Sequence, residues 1–263
     1  MRKLLLLLIG FAIGCATTSP PPDFSHAQLR IDRLLKEIYL PEYAARLERV
    51  SLRVAGYPND RKLAEDERLR PRLETQLAPD AVVADVVRRV SESFDEPAVA
   101  QLERFSESAT GRRVHEAAHA PYSWFSRLGY RTFGGPTEEP LERVNLARKL
   151  DELTLSSQTT GNLYLRIHEA IVRWYEARMP MNPEQSDKVG GIDGLLARER
   201  EAVEAAAAQH TVPFMLYAFS DLSTPELDEY VALVESPAGQ WYSKAVREAL
   251  IETIDRRSQA IQR

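Results

Sequence analysis

The chain is poor in the residues that define many functional classes on their own. One cysteine in 263 residues leaves no partner for an internal disulfide. Glycine (12) and proline (16) are too few for a collagen-like or low-complexity protein. There is no basic excess: 34 Lys and Arg face 39 Asp and Glu, for a net charge of -5. That argues against a nucleic-acid partner, which calls for a strongly positive surface. No G-x-S-x-G stretch and no phosphate-cradling glycine loop occurs. What is present is 44% hydrophobic and 28% charged, enough apolar material for one large core or two modest ones, which excludes a wholly disordered chain.

The first residues carry an address. Arg2 and Lys3 precede an apolar run, residues 4–13, interrupted only by Gly10. A charged start and an apolar stretch of about 10 residues form a signal-peptide pattern, far short of the roughly 20 residues that span a bilayer. The run closes on Ala12-Ile13-Gly14-Cys15, which resembles the lipobox of bacterial lipoproteins. The resemblance implies a signal peptide over 1–14, cleavage before Cys15, and lipid, palmitate included, on that cysteine. Ala12 and Ile13 depart from the commonest residues at their positions. Several acyl chains give stable attachment where a single chain gives only marginal binding. Ala16, not Asp, follows the cysteine, which for such lipoproteins implies the outer membrane, facing the periplasm. Residues 15–25, with Pro20-Pro21-Pro22, are expected to be an extended spacer. The mature chain would have 249 residues and, without Arg2 and Lys3, a net charge of -7.

The body is expected to be all-α, with about ten helices. Ile31, Leu34, Leu35 and Ile38 fall at i, i+3, i+4 and i+7, as do Leu227, Tyr230, Val231 and Val234. Breaks are expected at residues 56–59, 77–80, 95–97, 129–140, 179–194 and 236–237. The sequence also repeats. Residues 94–114 align with 222–242 at an offset of 128, pairing Pro97 with Pro225, Glu107 with Glu235, Ser108 with Ser236 and Gly111 with Gly239. Upstream, residues 31–40 align with 146–155 at an offset of 115. Two divergent helical repeats are therefore expected, over 26–128 and 141–263, joined by a linker at 129–140. In each, an acid or hydroxyl followed by Pro starts a helix, and Ser-x-x-Gly makes a tight corner into the next. Ser108, Gly111, Ser236, Pro237 and Gly239 are the expected corner residues.

The second copy, Phe219-Ser220-Asp221-Leu222-Ser223-Thr224-Pro225-Glu226-Leu227 followed by Val234-Glu235-Ser236-Pro237-Ala238-Gly239-Gln240, resembles the bacterial domain of unknown function 2059 family. In the first copy Ala109 stands in place of the corner proline. The resemblance implies an all-helical envelope domain and supplies no activity, cofactor or catalytic residue.

One stretch has the spacing of an enzyme site. His115-Glu116-Ala117-Ala118-His119 matches H-E-x-x-H, in which two imidazoles one helical turn apart bind zinc and the glutamate deprotonates bound water. Arg112 and Arg113 before it and Pro121 after it disfavour a buried zincin helix, and only Glu138, Glu139 and Glu142 follow as acids for a third ligand. A solvated helix face is the competing reading. Tyr122, Trp124, Phe125, Tyr130 and Phe133 would form either a contact between the repeats or a ligand groove. No catalytic residue and no cofactor are expected, with Glu116 as base and His115 and His119 as zinc ligands the alternative. The expected associations are the membrane, through the lipid, and an envelope protein.

Overall fold

The computed structural model describes residues 25–38, 40–55, 68–119 and 139–263. The signal peptide, Cys15 and nearly all of the spacer lie outside them, as do the break at 56–59 and the five aromatic residues between 122 and 133. The described residues form twelve helices and no strand. In chain order these are α1 (His26–Glu37), α2 (Leu40–Ala55), α3 (Leu69–Gln76), α4 (Pro79–Glu92), α5 (Glu96–Ser106), α6 (Ala109–His119), α7 (Leu141–Thr154), α8 (Ser156–Glu176), α9 (Pro183–Val189), α10 (Gly191–Ala218), α11 (Thr224–Glu235) and α12 (Pro237–Gln262). None is long and apolar enough to cross a membrane.

The helix starts follow local rules. Ser25 and Gln28 form a capping box on α1, with the Ser25 N–H donating to Gln28 Oε1 at 2.8 Å. Asp95 caps α5 by accepting the Ala98 N–H at 2.9 Å, and Pro97 sits in the first turn. Ser223 and Pro225 occupy the matching positions of α11, where Glu226 accepts the Ser223 N–H at 2.8 Å. The apolar stripes turn inward as expected: Ile31, Leu34 and Leu35 are buried on α1, and Leu227, Val231 and Val234 on α11. Ile38 departs from its stripe. It falls at the C-cap of α1, one residue past the helix, and is 42% exposed.

One corner had no signal in the sequence. Leu155 joins α7 to α8 in the left-handed region, φ 51° and ψ 37°, without a glycine. Between α9 and α10 the same geometry falls on Gly190 (φ 73°) and Gly191 (φ 67°), where it costs little.

Among the described residues, the helix contacts before and after residues 120–138 are alike in part. In the first six helices, α1 packs on α2, α4 and α5, α2 packs on α4, and α5 turns into α6. Among the last six, α7 packs on α8, α10 and α11, α8 packs on α10, and α11 turns into α12. The sixth helices also reach across: α12 lies against α3, α4 and α5 as well as against α8, α7 and α11 of its own set, and α6 lies against α10 and α11 as well as α5. Ile254 and Ile261 of α12 are fully buried in the main core, each worth roughly 1.5–3 kcal/mol of apolar burial.

Candidate functional site

The two corners place the residues that the sequence singled out. Ser108 Oγ accepts the Gly111 N–H at 2.9 Å, and Ser236 Oγ accepts the Gly239 N–H at 3.2 Å. Pro237 is the first residue of α12, where no intrahelical acceptor awaits its missing N–H. Each glycine lies hard against the preceding helix. A Cβ on Gly111 would sit 1.9 Å from the Phe105 carbonyl oxygen, and one on Gly239 would sit 2.2 Å from that of Leu233. Phe105 and Leu233 are themselves counterparts at the offset of 128. Glycine is thus required at both corners by close approach of backbone to backbone.

The first corner starts α6, the helix with the H-E-x-x-H stretch. Val114 and Ala117 are buried, so His115 and Glu116 fall on the exposed face. His115 Nδ1 lies 3.0 Å from the Glu37 carbonyl oxygen at the end of α1. A carbonyl only accepts, so Nδ1 carries the proton in this contact. The His119 side chain and Glu138 lie outside the described residues. Glu139 is engaged elsewhere, accepting from Arg143 Nε at 3.0 Å, and Glu142 is exposed at the start of α7. Among the described residues no three His, Cys, Asp or Glu side chains are grouped to hold a metal ion.

Behind His115 the structure collects polar groups that sequence reasoning passed over. Burial pushes the Glu37 carboxyl above the usual carboxylate range, opposed by the Ser106 hydroxyl and by the charges of His115 and Arg33. The Tyr242 hydroxyl is buried with no partner among the described residues, and burial together with the Glu37 charge holds its pKa well above that of a free tyrosine. Glu37, Tyr242 and His115 belong to helices far apart in sequence, and no spacing rule links them.

Elsewhere the polar groups act as ties between helices. Arg257 on α12 donates through Nε to Asp85 Oδ2 at 3.0 Å and through its terminal nitrogens to the carbonyls of Gln76 and Ala81 at 2.7 and 2.9 Å. Arg143, buried on α7, donates to the Leu222 and Phe219 carbonyls at 2.6 and 2.9 Å, satisfying the chain between α10 and α11. Arg30 on α1 spans Glu96 and Glu103 of α5. His168 on α8 is half-buried with Nδ1 unpartnered among the described residues. Burial lowers its pKa against the opposing charge of Glu199. A shallow polar depression of about 370 Å³ at α8–α10 is lined by Arg173, Glu176, Ser186 and Asp193, with the Arg173 guanidinium already held by Glu169 and Asp193.

No protein-family model, curated protein or solved structure matches the chain.

Proposed function

We propose that the protein is a lipoprotein of the bacterial cell envelope, tethered at Cys15 to the outer membrane and facing the periplasm. Its body is read as two divergent copies of one six-helix unit, serving as an interaction or envelope-maintenance module. The observation that carries the tether is the coincidence of the chain's one cysteine with the end of a charged-then-apolar leader. Support for the copies comes from the corners, where Ser108 and Gly111 repeat as Ser236 and Gly239 with the same cap and the same close approach. The resemblance to the domain of unknown function 2059 family agrees with this reading and adds no chemistry to it. Fractionation of cells tests the tether: the wild-type chain is expected with membranes and Cys15→Ala in the soluble periplasm, and a Cys15→Ala chain still held by lipid would overturn it. Crosslinking in intact cells is expected to capture an envelope protein as partner.

A second reading, zinc-dependent hydrolysis, has one observation in its favour. The His115 Nδ1 contact with the Glu37 carbonyl is of the kind that orients a metal-binding imidazole through its other nitrogen. That reading requires stoichiometric zinc in the purified protein and loss of hydrolysis in Glu116→Gln. A metal-free, fully folded preparation would end it.

A further inference from the structure

Some contacts between the two halves come in matched pairs. Gln101 Nε2, on α5, donates to Ser236 Oγ at the second corner at 3.3 Å. Thr110 Oγ1, at the first corner, donates to Glu229 Oε2 on α11 at 2.6 Å. Glu229 is the counterpart of Gln101 at the offset of 128, while Thr110 lies two residues after Ser108, the counterpart of Ser236, so this pair shares the corner and not the corner residue. A second pair behaves alike. Arg113 Nη2 donates to the Asp221 carbonyl, and Trp241 Nε1 donates to the Ser93 carbonyl at 3.0 Å. Trp241 is the counterpart of Arg113, and Asp221 of Ser93.

The apolar contacts reciprocate as well. Val114 and Ala117 of α6 are buried in a cluster with Leu150, Leu222, Leu227 and Val231 of the second half. Their counterparts Tyr242 and Ala245 pack against a cluster that includes Ile31, Leu35, Val86 and Val99 of the first half. These contacts of the first half on the second are returned by the second on the first, whereas the Asp85–Arg257 tie is not, Pro213 standing where Asp85 would be matched. Reciprocal contacts of this kind are a feature of isologous interfaces, in which one patch meets itself across a two-fold axis.

We propose that the corner face is a self-recognition surface whose partner is another copy of the same six-helix unit. In this chain α7–α12 supply that partner to α1–α6, and each sixth helix reaches across to the other half. The proposal rests on the reading of two copies and adds the geometry by which they pair. A unit without its partner would expose Val114 and Ala117 and leave open the cluster that they fill, so unpaired units are expected to seek one another.

Thiol trapping between full chains tests the pairing, with Cys15→Ser in every chain so that only introduced thiols react. Chains with Gln101→Cys and chains with Ser236→Cys are unfolded together in denaturant and refolded at rising concentration under oxidation. The expected result is a covalent dimer whose yield grows with concentration, and no such product from the non-facing mixture of Gln101→Cys with Glu229→Cys. Self-recognition further requires a dimer from Gln101→Cys with Ser108→Cys, because two first units then pair as a first and a second unit do. A single chain with both Gln101→Cys and Ser236→Cys calibrates the geometry. If that chain forms its internal disulfide while neither mixed dimer appears, the proposal fails. A Gln101→Cys/Ser236→Cys dimer without the Gln101→Cys/Ser108→Cys dimer also overturns it, since the faces are then complementary and not interchangeable. The reading of two copies is judged separately, by whether Ala109→Pro is accepted at the first corner as Pro237 is at the second.

Discussion

Gly239→Ala puts the corner geometry under direct strain. The new methyl would stand 2.2 Å from the Leu233 carbonyl oxygen, 2.6 Å from the Val234 Cα and 2.7 Å from the Val234 carbonyl oxygen. These are backbone atoms of α11, so no rotamer change relieves the overlap, and α11 and α12 must separate at the corner. The separation strains the Ser236 cap on Gly239 and the bond from Gln240 Nε2 to the Val234 carbonyl, 2.8 Å long. Overpacking costs typically 1–3 kcal/mol and a lost cap about 1, so a loss of about 3 kcal/mol is expected. For a chain of this size that lowers the melting temperature by roughly 10 °C. Urea denaturation followed by circular dichroism measures it, with Gly161→Ala as control. There a Cβ would meet the Ala207 Cβ at an ordinary 3.6 Å, and removing a glycine from the interior of α8 is expected to stabilise by roughly 0.5–1 kcal/mol. A Gly239→Ala midpoint equal to wild type would refute the close-approach argument, and a Gly161→Ala loss would show that alanine is harmful at glycines generally.

Ala109→Pro occupies the first position of α6 as Pro237 does in α12, and is expected to raise stability by about 0.4–1 kcal/mol in the same urea assay. Arg143→Leu strips the Phe219 and Leu222 carbonyls and Glu139 of their donor, and a loss of about 3 kcal/mol is expected from calorimetry. Burial raises the Asp85 carboxyl, but the hydrogen bonds and charges of Arg257 and Arg256 outweigh it, and its pKa lies below the usual range. Arg30 lowers that of Glu103 in the same direction. Both contributions are present above a pH of about 4 and are lost as pH falls through the depressed folded values, so Asp85→Asn is expected to flatten the acid limb of a stability–pH curve. For His168 the depressed pKa means that stability falls as pH drops below about 6.5, and an imidazole NMR titration is expected to give a value under that of a free histidine.

The parts of the fold legible in the sequence were those governed by neighbours along the chain. Pro97 and Pro225 each sit in the first turn after a capping side chain, and a local rule locates both. The Ser-x-x-Gly corners are legible by the same means, and their recurrence at one offset in the sequence singles out the glycines. Leu155 was not legible, because leucine carries no turn propensity of its own and rarely adopts the left-handed backbone it has here. The pairing of the halves was hidden for another reason. Arg113 and Trp241 are unlike side chains doing the same job, and their acceptors are backbone carbonyls, which leave no trace in residue identity. The polar cluster of Glu37, His115 and Tyr242 arises only when α1, α6 and α12 converge.

Mass spectrometry of the N-terminal peptide of the mature protein, purified from a Gram-negative host, bears most directly on the tether. The account predicts a peptide that begins at Cys15 and carries the mass of several acyl chains, absent in Cys15→Ala. An unmodified Cys15, whether inside an uncleaved leader or in a soluble chain, would contradict it.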